Sequence, residues 1–140
     1  MKRTPIERVS RLAENKESIA ARALAKKIAI QKQAEEKQAQ ISEYRHQYET
    51  HLENLGQAGI NSQTLKDYRQ FLGNLDNAID QQSMVVSQTA LQVNESKSEW
   101  LKTHQHKSAL EKLVEKQETE QVLRAEKRQQ RYIDELNSRR

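Results

Sequence analysis

The chain has 140 residues, normally enough for one domain, with a formal net charge of +4 and no cysteine. Charged residues make up 31% and hydrophobic residues 34%, with three glycines and one proline. This composition excludes a disulfide framework, argues against a large globular core and is typical of helical coiled coils. No apolar run approaches the ~20 residues of a membrane span, and the N-terminal residues lack the apolar core of a signal peptide. We therefore expect a soluble, cytoplasmic protein.

The first predicted helix covers about residues 5–55. Thr4 and Glu7 have the spacing of a capping box, and Pro5 suits the first helical position. Its predicted seam is thin and interrupted by lysines, and the apolar residues between about 12 and 30 leave room for a slip in the heptad register. The residues assigned to this seam are Ile6, Val9, Ala13, Ala20, Ala23, Ile30, Ala34, Ile41, Tyr44, Tyr48 and Leu55.

A turn is predicted at about residues 56–61, because Gly56-Gln57-Ala58-Gly59 holds two of the three glycines. Gly56 is expected to follow the last residue of the first helix. Asn61 is a suitable N-cap for the second helix. Since this turn is short, the two helices must run antiparallel.

The second predicted helix covers about residues 62–136 and has the clearer repeat. Alternate steps of three and four residues give the seam Leu65, Tyr68, Leu72, Leu75, Ile79, Gln82, Val86, Thr89, Val93, Ser96, Trp100, Thr103, Lys107, Leu110 and Val114. A sustained 3.5-residue period means that this face packs on another helix. The predicted fold is all-α, a long antiparallel two-helix coiled coil that forms a single domain over residues 1–140.

Pairing the two seams outward from the turn places Leu55 opposite Leu65. Trp100 then falls beside Ala20 and Ala23, and small residues facing the one large indole suit close packing. We therefore interpret these three residues as structural. Residues 115–140 are left without a partner helix, so the C-terminal helix end is expected to overhang.

Charge is unevenly distributed along the predicted hairpin. Residues 1–32 hold nine Lys or Arg against three acidic residues, and residues 124–140 hold six against three. Around the turn, residues 41–82 hold three basic and six acidic residues. A positive base and a negative tip suggest different partners at the two ends.

Signals for chemistry are missing from the sequence. His104 and His106 are two residues apart, so they point to different sides of a helix and do not form a metal pair. The Gly56-x-x-Gly59 segment lacks the lysine of a phosphate-binding loop. No catalytic residue, cofactor or metal site is predicted, and we interpret the histidines as solvated surface residues.

Aromatic residues cluster on both sides of the predicted turn, at Tyr44, Tyr48, Tyr68 and Phe71. Side chains at the flanks of a two-helix seam are partly exposed. These residues could therefore pack internally or offer an apolar patch to a partner. The residue pattern leaves both readings open.

The order of these features resembles the flagellar FliJ family over nearly the whole chain. The resemblance is carried by Tyr44-x-x-x-Tyr48, the glycine-rich turn, Leu65-x-x-Tyr68-x-x-Phe71-Leu72-x-x-Leu75-x-x-Ala78-Ile79-x-x-Gln82, Trp100 with Lys107-x-x-Leu110, and the segment Ala125-Glu126-Lys127-Arg128-Gln129-Gln130-Arg131.

The resemblance implies a non-enzymatic central stalk and export chaperone of the bacterial flagellar type III protein export apparatus. Its helix ends would enter the hexameric ring of the export ATPase, FliI, and regulate it. Its side near the turn would contact the membrane export gate, FlhA, and it would escort export chaperones. The protein would be cytoplasmic and peripherally associated with the inner membrane, without inserting into it, and a monomer when free.

The resemblance also implies the residues of each contact. The gate contact would fall on Tyr44, Tyr48, Phe71, Leu75 and Ala78, with Ile41 and Gln82 at its edges. The ATPase contact would fall on Arg124, Arg128 and Arg131. Gln82 takes a position where some relatives have histidine.

Three other readings remain open. An equivalent stalk of a virulence type III secretion injectisome has the same physical requirements. The positive charge at the open end of the hairpin allows a nucleic-acid-binding coiled-coil arm. No binding motif is present, however, and we expect no nucleic-acid partner. A homodimeric scaffold is the third alternative.

Overall fold

The structure, a computed structural model, describes residues 5–139 and consists of two long helices. Helix α1 is Pro5–Ala58 and helix α2 is Ser62–Ser138. The helices pack against each other as an antiparallel hairpin, and no strand occurs between residues 5 and 139. The predicted all-α hairpin is therefore confirmed.

Each helix contributes to two compact units. One unit contains the described residues up to Ala21 together with those from Ser98 onward, and the other is Arg22–Lys97. Both units consist of one segment of α1 packed on one segment of α2. We refer to them as the Trp100 unit and the turn unit.

The turn between the helices is shorter than predicted. Helix α1 continues through Gly56 to Ala58, and the left-handed residue after it is Gly59, with φ 92°. A side chain is strained at that φ, so glycine is the suitable residue there. Asn61 caps α2 as predicted, because its Oδ1 accepts a hydrogen bond from the Thr64 backbone N–H at 2.8 Å. Thr4, the other predicted cap, lies outside the described residues.

The predicted seam of α2 is the one that packs. Every position of the three-four repeat from Leu65 to Val114 is buried or half-buried, and Leu72, Gln82 and Thr89 are the most buried residues of the helix. A strict period of 3.5 residues keeps one face of a helix against its neighbour.

The predicted seam of α1 is only partly right. Val9, Ala23, Ile30 and Tyr44, which were assigned to it, are exposed. The stripe that packs repeats at three and four residues without a slip, and consists of Ser10, Ala13, Glu17, Ala20, Leu24, Lys27, Gln31, Ala34, Gln38, Ile41, Arg45, Tyr48, Leu52 and Leu55.

Polar residues are accepted in the packed stripe of α1 because several find partners on α2. Glu17 accepts a hydrogen bond from Trp100, and Arg45 binds Asp76. A half-buried polar group that is paired in this way does not carry the cost of an unsatisfied one.

The C-terminal part of α2 is exposed throughout. Every described residue from Glu118 to Arg139 is solvent-exposed. Among the residues described, neither helix has a stretch long and apolar enough to cross a membrane.

Candidate functional site

Three aromatic rings meet across the two helices of the turn unit. The ring centroids of Tyr48 and Phe71 are 4.7 Å apart, and those of Tyr44 and Tyr48 are 4.8 Å apart. Phe71 and Tyr44 are at 6.4 Å, with their planes inclined at 72°. These tilted and edge-on arrangements are favourable ring contacts. We call Tyr44, Tyr48 and Phe71 the aromatic cluster.

The aromatic cluster lies at the edge of the seam, so its members differ in exposure. Tyr48 is a seam residue and is half-buried, as is Phe71, whereas Tyr44 is 46% exposed. The Tyr44 hydroxyl donates a hydrogen bond to the Tyr48 hydroxyl at 3.2 Å. This hydrogen bond raises the pKa of Tyr44 above its ordinary value. The cluster is both internally packed and open on one side.

An arginine clasp holds the helices together beside the aromatic cluster. Arg45 is a seam residue whose Nε binds Asp76 Oδ1 on α2 and whose Nη1 lies 2.8 Å from Glu49 Oε2 on α1. A second contact joins Nη2 to Asp76 Oδ2 at 3.4 Å. The hydrogen bond that Arg45 donates to Asp76 is the main cause that raises the pKa of Arg45 further above its ordinary value. This forked pairing fixes the side chain of Arg45, the residue that follows Tyr44 in the chain.

The remaining residues implied for the gate contact differ in their access to solvent. Ile41 and Leu75 are half-buried seam residues, and Ala78 is half-buried next to the seam residue Ile79. Gln82 is only 7% exposed, and its Nε2 donates a hydrogen bond to the Ala34 carbonyl at 2.9 Å. The Gln82 amide is therefore used inside the hairpin and is not offered to solvent.

A shallow depression adjoins the aromatic cluster on the side of the turn. It is lined by Tyr48, Asp67, Tyr68 and Phe71 and measures about 290 Å³. The His51 and Tyr68 rings lie 5.9 Å apart beside it. Three aromatic rings and a carboxylate therefore line this depression, which we call the recess.

Trp100 is the centre of a polar cluster that the sequence did not reveal. Its Nε1 donates a hydrogen bond to Glu17 Oε1 at 2.9 Å, and its ring stacks on His104 at 5.0 Å. Lys107 Nζ lies 3.9 Å from Glu17 Oε2. His104, expected as a solvated residue, is half-buried, and its Nδ1 is enclosed 3.6 Å from Glu17 Oε1.

The small residues assigned to the indole differ in burial. Ala20 is half-buried in the packed stripe of α1, whereas Ala23 is exposed. Trp100 itself is half-buried. The contacts with Glu17 and His104 are those that support a structural role for Trp100.

Basic residues form a continuous stripe on the exposed end of α2. Arg124, Arg128 and Arg131 are exposed and line a depression together with Lys127. Steps of three and four residues from Val114 lead through Gln117 and Gln121 to these arginines, so the stripe continues the face that packs on α1 earlier in the helix. The surface changes there from apolar to basic.

The described residues offer no arrangement for metal chemistry. No group of three or more His, Asp or Glu residues between positions 5 and 139 could hold a metal ion.

Comparison with known proteins identifies the family. The sequence model described as "Flagellar FliJ protein" matches residues 1–140. This chain belongs to the FliJ family of flagellar proteins. The FliJ protein of Escherichia coli (strain K12) is 30% identical over 128 residues, which cover 91% of this chain and 87% of that protein. The FliJ protein of Salmonella typhi is 28% identical over 134 residues, covering 96% and 91% respectively.

Sequence reasoning on this FliJ-family chain missed three residues that shape its surfaces. Arg45 and Glu17 occupy seam positions where an apolar residue is expected, and His104 is half-buried although a solvated residue is expected there. The available signal was their spacing: both Glu17 and Arg45 fall on the uninterrupted three-four stripe that starts at Ser10. Both charged residues are paired with a residue on the facing helix, Glu17 with Trp100 and Arg45 with Asp76.

Proposed function

We propose that this protein is the non-enzymatic central stalk and export chaperone of a flagellar type III protein export apparatus. The match to the FliJ family over residues 1–140 is the observation that carries the proposal. In this role the exposed end of α2 enters the ring of an export ATPase and regulates it. The turn unit contacts the export gate, so the protein is cytoplasmic and held at the inner membrane through the apparatus.

The gate contact is proposed on the aromatic cluster together with Ile41, Leu75 and Ala78. A partly exposed group of rings supplies a large apolar area with little side-chain entropy to lose, and aromatic residues often dominate interface energy. The Arg45 clasp supports this assignment, because it fixes the helix segment that presents Tyr44 and Tyr48.

The gate contact is tested by measuring the affinity of purified variants for the gate protein. Phe71→Ala and Tyr48→Ala should each weaken binding by about 10-fold or more, with ATPase stimulation retained. Met84→Ala is a matched control, since Met84 is an exposed apolar residue of the same unit. Normal gate binding by both aromatic variants, with helical content intact by circular dichroism, would refute this surface.

The ATPase contact is proposed on Arg124, Arg128 and Arg131. Arginine forms bidentate pairs with carboxylates, so an acidic inner surface of the ring is the expected complement. Reversing all three to Glu should abolish stimulation of the ATPase and leave the fold intact, because these residues lie beyond the packed seam. The matched control reverses Lys97, Lys102 and Lys112, which are exposed on α2 outside the stripe.

Export chaperones are proposed to bind the apolar stripe that α1 leaves exposed in the Trp100 unit. Val9, Leu12 and Ile19 are 47%, 54% and 66% exposed, although their sequence pattern resembles a packing face. Ile19→Glu should reduce chaperone binding. Leu91→Glu, which alters an equally exposed residue of the turn unit, should not. Equal effects of both substitutions would contradict this placement.

The alternatives are separated by partner measurements. Selective binding to an injectisome ATPase and gate, rather than to the flagellar pair, would favour the injectisome stalk. Binding to DNA or RNA with a steep dependence on salt would favour a nucleic-acid-binding arm. A dimer in analytical ultracentrifugation would favour the scaffold reading over the expected monomer.

A further inference from the structure

The recess beside the aromatic cluster has the chemistry of a cation-binding site. Its walls are the rings of Tyr48, Tyr68 and Phe71, and its only charged wall is the carboxylate of Asp67. The faces of aromatic rings carry negative electrostatic potential and attract a cation within about 6 Å of the ring centre. A carboxylate in the same recess adds a formal negative charge.

Two contacts orient the walls of the recess within the hairpin itself. Tyr48 and Phe71 are tilted at 55° to each other, at a centroid distance of 4.7 Å, so their faces are not stacked face to face. Asp67 Oδ1 accepts a hydrogen bond from Gln63 Nε2 at 3.1 Å, which orients the carboxylate along α2. Both features exist without a partner and need little rearrangement on binding.

The surroundings favour a positive guest over a neutral or negative one. Residues 41–82 hold six acidic and three basic side chains. One of the three basic residues, Arg45, is paired with Asp76 and Glu49. The volume of about 290 Å³ is at the lower limit for a small-molecule site and suits a single long side chain.

We propose that this recess binds an arginine side chain of the export gate. Guanidinium is planar, so it can lie against a ring face and pair with Asp67 through two N–H groups. The compact ammonium group of lysine has the same charge but lacks the planar shape and the paired N–H groups of guanidinium. That the arginine belongs to the gate protein rests on the proposed function, whereas the selectivity of the recess does not.

The chain offers a clean probe for this proposal, since Phe71 is its one phenylalanine. Fluorine-labelled phenylalanine therefore gives a single NMR signal in the recess. The labelled full-length protein is titrated with N-acetyl-arginine amide and, separately, with N-acetyl-citrulline amide, which has the same shape without the charge. The arginine amide should shift the signal saturably, with about 10-fold tighter binding than the citrulline amide.

Substitution of Asp67 tests whether its carboxylate contributes to the binding of the arginine amide. Asp67→Asn should weaken binding of the arginine amide by about 5-fold. Asp80→Asn, which removes the same charge from an exposed position of the same unit, should leave it within about 2-fold. Equal binding of the two amides, or equal effects of the two substitutions, would overturn the proposal.

This titration tests the recess independently of the proposed function, because no gate protein is present. Arginine selectivity that depends on Asp67 supports the recess even if the gate does not bind the aromatic cluster. Normal gate binding through Phe71, together with equal affinity for both amides, overturns the arginine site and leaves the gate contact in place.

Discussion

Truncation of Trp100 to alanine tests whether its role is structural. Removing a fully buried tryptophan costs about 3–5 kcal/mol. Trp100 is half-buried in an open two-helix seam, so we expect a loss of about 2 kcal/mol in the free energy of unfolding. This should lower the melting temperature by roughly 6–10 °C.

Part of that loss comes from the hydrogen bond between the indole N–H and Glu17. Hydrogen bonds to charged groups contribute about 1.5–3 kcal/mol when well buried. The Glu17 side chain is 17% exposed, so we expect about 1 kcal/mol for this one. Trp100→Phe keeps an aromatic ring and removes the donor, and Glu17→Met keeps the length of the side chain and removes the acceptor. A double-mutant cycle of these two changes should give a coupling of about 1 kcal/mol.

Circular dichroism at 222 nm measures the thermal unfolding, and gate affinity is measured below the transition. Trp100→Ala should bind the gate with nearly normal affinity while it is folded, because its contacts belong to the Trp100 unit. An unchanged melting temperature would refute the packing argument. A loss of gate binding at normal helicity would refute the structural assignment.

Three further predictions concern the turn unit. Arg45→Met should lower stability by about 1 kcal/mol, because both carboxylates lose their pairing, whereas Arg69→Met, at an exposed arginine of the same unit, should change the melting temperature little. Tyr48→Phe should lower the pKa of Tyr44 toward its ordinary value of about 10, measured by tyrosinate absorbance. The raised pKa of Tyr44 favours its neutral form, so its contribution to stability is present below pH 10 and is lost as the pH rises through the folded-state pKa. Gln82→Leu should raise the melting temperature, since an apolar residue suits a buried seam position, and it should leave gate binding unchanged. A lower melting temperature would mean that the hydrogen bond to Ala34 contributes more to stability than the apolar replacement.

The sequence was sufficient to predict both helices and the packing face of α2, but not the packing face of α1. The repeat from Leu65 to Val114 contains enough apolar residues at a strict 3.5-residue period to define one packing face. Helix α1 carries two stripes with the same spacing that share Ala13, Ala20, Ala34, Ile41, Tyr48 and Leu55. They differ at alternate positions, where one has Val9 and Ile30 and the other has Glu17 and Arg45. Apolar content favours the first stripe, but the second is the one that packs.

The choice between these stripes depends on partners that lie far apart in the sequence. Glu17 is accepted in the seam because Trp100 donates to it, and Arg45 is accepted because Asp76 binds it. Neither pairing can be read from α1 alone. The gate contact therefore stays a prediction, while the Arg45 clasp and the burial of Gln82 emerged only from the packed helices.

The central claim is that one protein joins two partners through separate parts of its hairpin. The most direct measurement compares the full chain with a chain truncated after Gln117, which keeps every seam residue and removes the basic stripe. Helical content and gate affinity are measured for both, together with binding to the ATPase ring and stimulation of ATP hydrolysis. The account predicts that the truncated hairpin keeps its fold and its gate affinity and loses ring binding and stimulation. Unchanged ring binding and stimulation by the truncated chain would contradict it.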